Sequence, residues 1–268
     1  MLKWFRKLIN KSIEAENPLV EENGMIDFSI YEVKKSRPVV VLHPILAGSN
    51  TVARGMANYF TIVHRWNAVV ISRFKYPFEA DSPEGFERKL IDIIKNNQQA
   101  YKYLVEYFGH DNFFSVGTSM GAMVNASLIP YIPYKGFVCV MGGGPIVEVM
   151  LKSNMSRFDD WLERQMPEYG ENEKEVKESY ENVVVHDPVK NADTSKSHKV
   201  FMISAFFDKA VPRSTQAKLN KALRKWFVFP FRVWFPVGHY SMLIMLPVAM
   251  IMISTFLVYR YIMSRFNW

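Results

Sequence analysis

The chain reads as an α/β fold, a mainly parallel, doubly wound sheet with helices on both faces. Three observations predict it. Short apolar runs rich in β-branched residues recur along the chain, as expected of strands buried on both sides. Segments of helical periodicity separate those runs, and right-handed crossovers through such helices cover both faces of a sheet. The length and composition also fit: 268 residues, 49% hydrophobic and 22% charged, suit one domain of about 250 residues and exclude a disordered chain.

Residues 1–17 stand apart from the domain expected over 18–268. On a helix, Leu2, Trp4, Phe5, Leu8, Ile9 and Ile13 share one face, opposite Lys3, Arg6, Lys7 and Lys11. Those charges interrupt every apolar run, so the segment lacks the core of a cleavable signal peptide. A basic amphipathic helix with aromatics suits an anionic membrane interface, or else packs on the domain. Ile26 to Val33 is expected to add an antiparallel pair at the sheet edge. Pro38 to Leu42 and Asn67 to Ser72 are the first two core strands. Ser82 to Phe108 is a long helix, with Ser82 as N-cap and Pro83 at its first position. Asn112 to Val116 is the next strand, Met120 to Leu128 a short helix, and Gly136 to Met141 a further strand.

Leu151 to Ser197 then breaks the alternation with a dense charge run from Glu171 to Glu181. A small polar lid or cap over about 151–197 and an ordinary crossover helix both fit. Strand Lys199 to Ala205, basic helix Ser214 to Lys225 and strand Phe231 to Phe235 follow. The last helix, about 242–265, carries no charge from Met242 to Val258. Apolar all round, it needs cover on its outer face. Core or homodimer packing, shallow membrane insertion and a full span are the three options. A span is awkward because the chain must still reach the sheet edge a few residues earlier. Pro247 is expected in the first turn of this helix.

The densest chemical signal is Gly117-Thr118-Ser119-Met120-Gly121, a G-x-S-x-G between a predicted strand and a predicted helix. A serine on so sharp a turn takes strained backbone angles, and flanking glycines remove side chains that would collide. Its hydroxyl then projects at the C-terminal sheet edge, where the Met120 N–H points at an anion forming beside Ser119. A serine nucleophile needs a base, and the base an orienting carboxylate. His239 lies just past the last strand, in Phe235-Pro236-Val237-Gly238-His239, and Asp208 just past the preceding one, in Phe206-Phe207-Asp208-Lys209-Ala210-Val211-Pro212. All three sit at C-terminal strand ends, where open α/β sheets bind ligands.

On these residues, and on their Ser…Asp…His order, the chain resembles the α/β-hydrolase superfamily of serine hydrolases over roughly Val33 to Tyr261. The Asp187-Pro188 stretch also looks like that family's approach to its acid-bearing strand. The resemblance implies Ser119, Asp208 and His239 as the catalytic triad, and Met120 and Ile45 as backbone oxyanion donors. Ile45 follows from His43-Pro44-Ile45, where Pro44 replaces the usual glycine and has no N–H; Leu46 is the fallback. His43 is then a loop brace and not a base.

Other chemistries find little support. The lone Cys139 excludes a disulfide framework. His64, His110, His186 and His198 lack metal-ligand spacing, so no metal site is expected. There is no phosphate-binding or dinucleotide glycine motif, and no cofactor is expected. The net charge of +7 favours anionic surfaces, but the basic residues form no nucleic-acid module. The sequence therefore predicts a serine hydrolase of a carboxylic ester or thioester, esterase- or lipase-like, with an apolar acyl or alcohol part. It is expected in the cytoplasm, peripherally on a membrane. An acyltransferase using the same triad, and a non-catalytic membrane-associated binding protein, are the alternatives.

Overall fold

The computed structural model describes residues 28–45, 50–71, 79–169, 172–192, 194–223 and 231–265. The 1–17 helix and Leu46 lie outside these. Seven strands form one sheet: β1 (Phe28–Tyr31), β2 (Val39–His43), β3 (Asn67–Ile71), β4 (Phe113–Thr118), β5 (Gly136–Val140), β6 (Val200–Ala205) and β7 (Phe231–Phe235). Their spatial order is β1-β3-β2-β4-β5-β6-β7. All pairings are parallel except β1 with β3, where Phe28 faces Ile71 and Tyr31 faces Ala68. The expected edge pair is thus one new strand laid antiparallel on β3.

Strands β2 to β6 are buried at every position, which is why they read as unbroken apolar runs rather than alternating ones. One face is covered by α1 (Asn50–Tyr59, continued by a π-helical turn, Phe60–His64) and α8 (Met242–Arg265). The other is covered by α2 (Pro83–Phe108), α3 (Met120–Leu128) and α7 (Arg213–Ala222). Helix α2 starts where its cap predicts: Ser82 Oγ accepts the Gly85 N–H at 3.1 Å, a bond of the kind worth about 1 kcal/mol. Gly109 ends it at φ 73°, a left-handed turn open to glycine. Helix α3 is buried at all nine of its residues.

Between β5 and β6 the chain makes α4 (Ile146–Lys152), α5 (Ser156–Gln165) and α6 (Glu173–Val183). Despite its charge run, this insertion has an apolar seam. Phe158, Trp161, Val176 and Tyr180 are buried against Phe86 and Leu90 of α2 and Met120 and Met123 of α3. Glu87 of α2 accepts the N–H of Val185 at 3.1 Å and pairs with the His186 ring. Helix α8 packs Leu246, Ala249, Met250, Ile253 and Leu257 inward. Pro247 lies inside it, past the first turn.

Candidate active site

Ser119 sits between β4 and α3 at φ 55° and ψ −120°. That backbone is strained for any residue with a Cβ, by roughly 1–3 kcal/mol, so the surroundings must enforce it. They do so sterically. A Cβ on Gly117 would lie 2.2 Å from the Gly121 carbonyl oxygen, and one on Gly121 would lie 2.3 Å from the carbonyl oxygens of both His43 and Pro44. The end of β2, the elbow and α3 are therefore in backbone contact, which no larger residue permits. The Ser119 N–H donates to the Val140 carbonyl at 2.8 Å. Below the turn, Ser115 Oγ donates to Asn125 Oδ1 at 2.6 Å, and Asn125 Nδ2 donates to the Val138 carbonyl at 2.9 Å. One buried amide thus ties α3 to β4 and β5.

As the first residue of α3, Met120 has an N–H outside the intrahelical ladder. Pro44 and Ile45 follow β2 directly, and the Pro44 carbonyl abuts Gly121, which sets the Ile45 segment beside the elbow. Ile45, Val52, Met56, Val116 and Thr118 line an apolar cavity of about 10 Å³, room for one water. His43 is buried in the last β2 position, opposite Gly117. Burial pushes its imidazole down to about 3, so it is neutral at pH 7 and suits bracing.

Asp208 and His239 are brought together. His239 Nδ1 lies 2.8 Å from Asp208 Oδ2. Asp208 Oδ1 accepts the N–H groups of Ala210 and Val211 at 2.9 and 2.8 Å. These bonds turn Oδ2 toward the ring. Gln216 was not singled out in the sequence. Its Nε2 donates to the Val211 carbonyl at 2.7 Å and to Asp208 Oδ2 at 3.4 Å, and its Oε1 accepts the Ala205 N–H at 3.2 Å. No local sequence signal marks it, because its role depends on its burial where α7 meets β6. Asp187 does other work: its oxygens accept the N–H groups of Ile146 at 2.6 Å and Val189 at 2.8 Å, while burial pushes its carboxyl up. Among the described residues no hydrogen bond joins Ser119 Oγ to the His239 ring, and no three His, Cys, Asp or Glu side chains converge as a metal site.

Residues 88–233 match the prolyl oligopeptidase family, more than half the chain and inclusive of Ser119 and Asp208. The chain belongs to that family. This prolyl oligopeptidase family member has the α/β-hydrolase fold and is a serine hydrolase by class. The chain is similar to an esterase from Pyrococcus furiosus, with a TM-score of 0.63 and 13% identity over 94% of this chain and 92% of that one. It is also similar to a hyperthermophilic esterase from Pyrobaculum calidifontis, with a TM-score of 0.61 and 16% identity over 98% and 91%. A puromycin-hydrolysing peptidase from Mycobacterium tuberculosis gives a TM-score of 0.58 and 14% identity, covering 85% of this chain. The family member spans only 36% of that peptidase's length. No curated protein matches the sequence.

Proposed function

We propose that this protein hydrolyses a carboxylic ester or thioester through a covalent acyl-enzyme. The observation that carries the reading is the 2.8 Å bond between His239 Nδ1 and Asp208 Oδ2, at the strand-end edge of the sheet that also carries a serine held at φ 55°. With Nδ1–H donated to the carboxylate, Nε2 is the basic nitrogen. It takes the proton of Ser119 Oγ as that oxygen attacks the carbonyl carbon. The tetrahedral intermediate's oxyanion is bound by the N–H groups of Met120 and Ile45. Collapse expels the leaving alcohol or thiol, which receives the proton from Nε2. Water, deprotonated by the same nitrogen, then releases the acid and restores Ser119. Neither half-reaction needs a metal or an organic cofactor.

The overlap with two esterases along nearly their whole length supports an ester substrate. The family match favours a second reading, in which the leaving group is an amine of a short peptide. We place the protein on the cytoplasmic face of an anionic membrane, with the basic, amphipathic sequence of residues 1–17 as one anchor.

A fluorophosphonate probe tests the nucleophile. It should label the protein once, and Ser119→Ala should abolish labelling; equal labelling of the variant would falsify the assignment. p-Nitrophenyl esters of graded chain length, set against peptidyl aminocoumarins, separate ester from peptide turnover.

A further inference from the structure

The molecule's charge is unevenly distributed. From Val200 to Trp268 there are nine Lys and Arg and a single acid, Asp208, whereas the other residues carry 24 basic and 25 acidic side chains. The exposed large apolar side chains are placed in the same way. Among the described residues, Phe206, Phe207, Phe231, Tyr240, Ile244, Val248, Ile251, Tyr259 and Ile262 are exposed within this stretch, against four elsewhere. Apolar exposure and uncompensated positive charge thus occupy the same part of the sequence.

Several of these groups meet around the His239 corner. Phe206 and Phe207 directly precede Asp208, and Tyr240 directly follows His239. Tyr240 is 72% exposed, Phe207 63% and Ile244, in the first turn of α8, 80%. The Phe206 ring lies 5.1 Å from Phe207 and 6.3 Å from Trp234, and the Tyr240 ring lies 5.6 Å from the His239 ring. The Phe207 N–H donates to the Val237 carbonyl at 3.0 Å, joining the two halves of the rim. Exposed basic groups stand among the rings. The Arg213 guanidinium lies 3.8 Å over Phe206, and that of Arg232 5.6 Å from Trp234. Lys209 follows Asp208 in the same loop. Among the described residues none of these three cations is in an ion pair.

We propose that this aromatic and basic rim docks the catalytic mouth onto the surface of an anionic phospholipid bilayer. Aromatic side chains with one apolar end belong at the headgroup level, and Arg and Lys beside them find lipid phosphates there. An acidic protein would satisfy the cations but not four exposed apolar side chains; a neutral apolar partner would leave the cations unmatched. Helix α8 is long and apolar enough to cross a bilayer. Its inner side is packed into the domain, so it lies along the surface and adds Ile244 to the rim. The inference rests on the ester-hydrolase reading only for what the bilayer delivers, an ester with an apolar acyl chain.

Flotation of the full chain with neutral vesicles (phosphatidylcholine) and anionic ones (phosphatidylcholine with phosphatidylglycerol) tests this without reference to turnover. The full chain should float with the anionic vesicles at low salt and little with the neutral ones. Phe207→Ser combined with Ile244→Ser, and separately Arg213→Glu with Arg232→Glu, should each lower the anionic partition by about tenfold or more. Hydrolysis of soluble p-nitrophenyl acetate should stay within about twofold in the Phe207→Ser and Ile244→Ser double variant, which also reports that it is folded. Unchanged flotation of both double variants would assign membrane binding to residues outside the rim, such as the basic segment 1–17, and overturn the proposal. So would equal binding to neutral vesicles, or a dimer in solution that the Phe207 and Ile244 changes dissociate while vesicles bind nothing. Loss of fluorophosphonate labelling with flotation intact would sink the hydrolase reading and leave the docking surface standing.

Discussion

The elbow at Ser119 and the corner at His239 hold their side chains by different means. At the elbow, three stretches of backbone touch, and the geometry follows from the absence of Cβ atoms at Gly117 and Gly121. At the corner, no comparable crowding exists. Apart from its chain neighbours, a Cβ on Gly238 would meet only the Phe207 carbonyl oxygen, at 3.4 Å. The ring's aim depends on one carboxylate, itself aimed by two backbone N–H groups and Gln216. Steric definition tolerates no added atom, whereas hydrogen-bond definition tolerates added atoms but not a changed donor or acceptor.

The largest expected effect strikes the corner chemically while sparing its shape. In Asp208→Asn the amide oxygen must face the Ala210 and Val211 N–H groups, so the amide NH₂ faces His239 Nδ1. The ring then carries its proton on Nε2 and cannot act as base. kcat for an ester substrate should fall by about 10⁴, with the melting temperature little changed. A loss below tenfold would show that another carboxylate orients the base.

The same contrast predicts opposite outcomes for two alanines. Gly121→Ala puts a Cβ into two carbonyl oxygens and should destabilise the fold by at least about 3 kcal/mol. Gly238→Ala should cost less than about 1 kcal/mol, since 3.4 Å is ordinary contact. Urea unfolding of the two variants measures both, and similar costs would remove the distinction.

His43 sharpens the steric side further, because the elbow packs directly on its backbone. Its buried imidazole titrates at about 3, whereas in the unfolded chain it titrates near its ordinary value of about 6.5. Between those values the unfolded state takes up a proton that the native state refuses. Stability from this group is full above about pH 6.5 and falls on acidification, by about 1.4 kcal/mol per pH unit, or roughly 3 kcal/mol at pH 4.5. Urea midpoints at pH 7 and 4.5 should show this slope in the wild type and a shallower one in His43→Asn. Equal slopes would remove His43 from the acid sensitivity.

How legible each region was in the sequence follows from the same physics. The elbow demanded glycines at fixed positions, and that demand is written directly in Gly117 and Gly121. The buried strands were legible because burial on both faces strongly favours apolar residues. Strand-end position pointed to Asp208 and His239, but nothing local marked Gln216, whose role depends on the depth at which α7 meets β6. Helix α1 was missed because Ala53, Met56, Ala57 and Phe60 are correctly spaced, yet two of them are alanines that add little contrast. In the insertion, Phe158 with Trp161 and Val176 with Tyr180 are the buried apolar pairs on their helices, and the surrounding charges hid them. Pro247 was read as a first-turn residue because prolines favour that place. The structure starts α8 at Met242, ahead of the proline.

The burial of every residue of α3 bears on how the protein loses activity. Amide hydrogens there have no route to solvent short of opening the sheet, so their deuterium exchange reports global unfolding and nothing smaller. A serine fixed by such a helix has no disarmed native form to relax into. Heat inactivation and loss of the fold should be one event, with no folded but inert species between them.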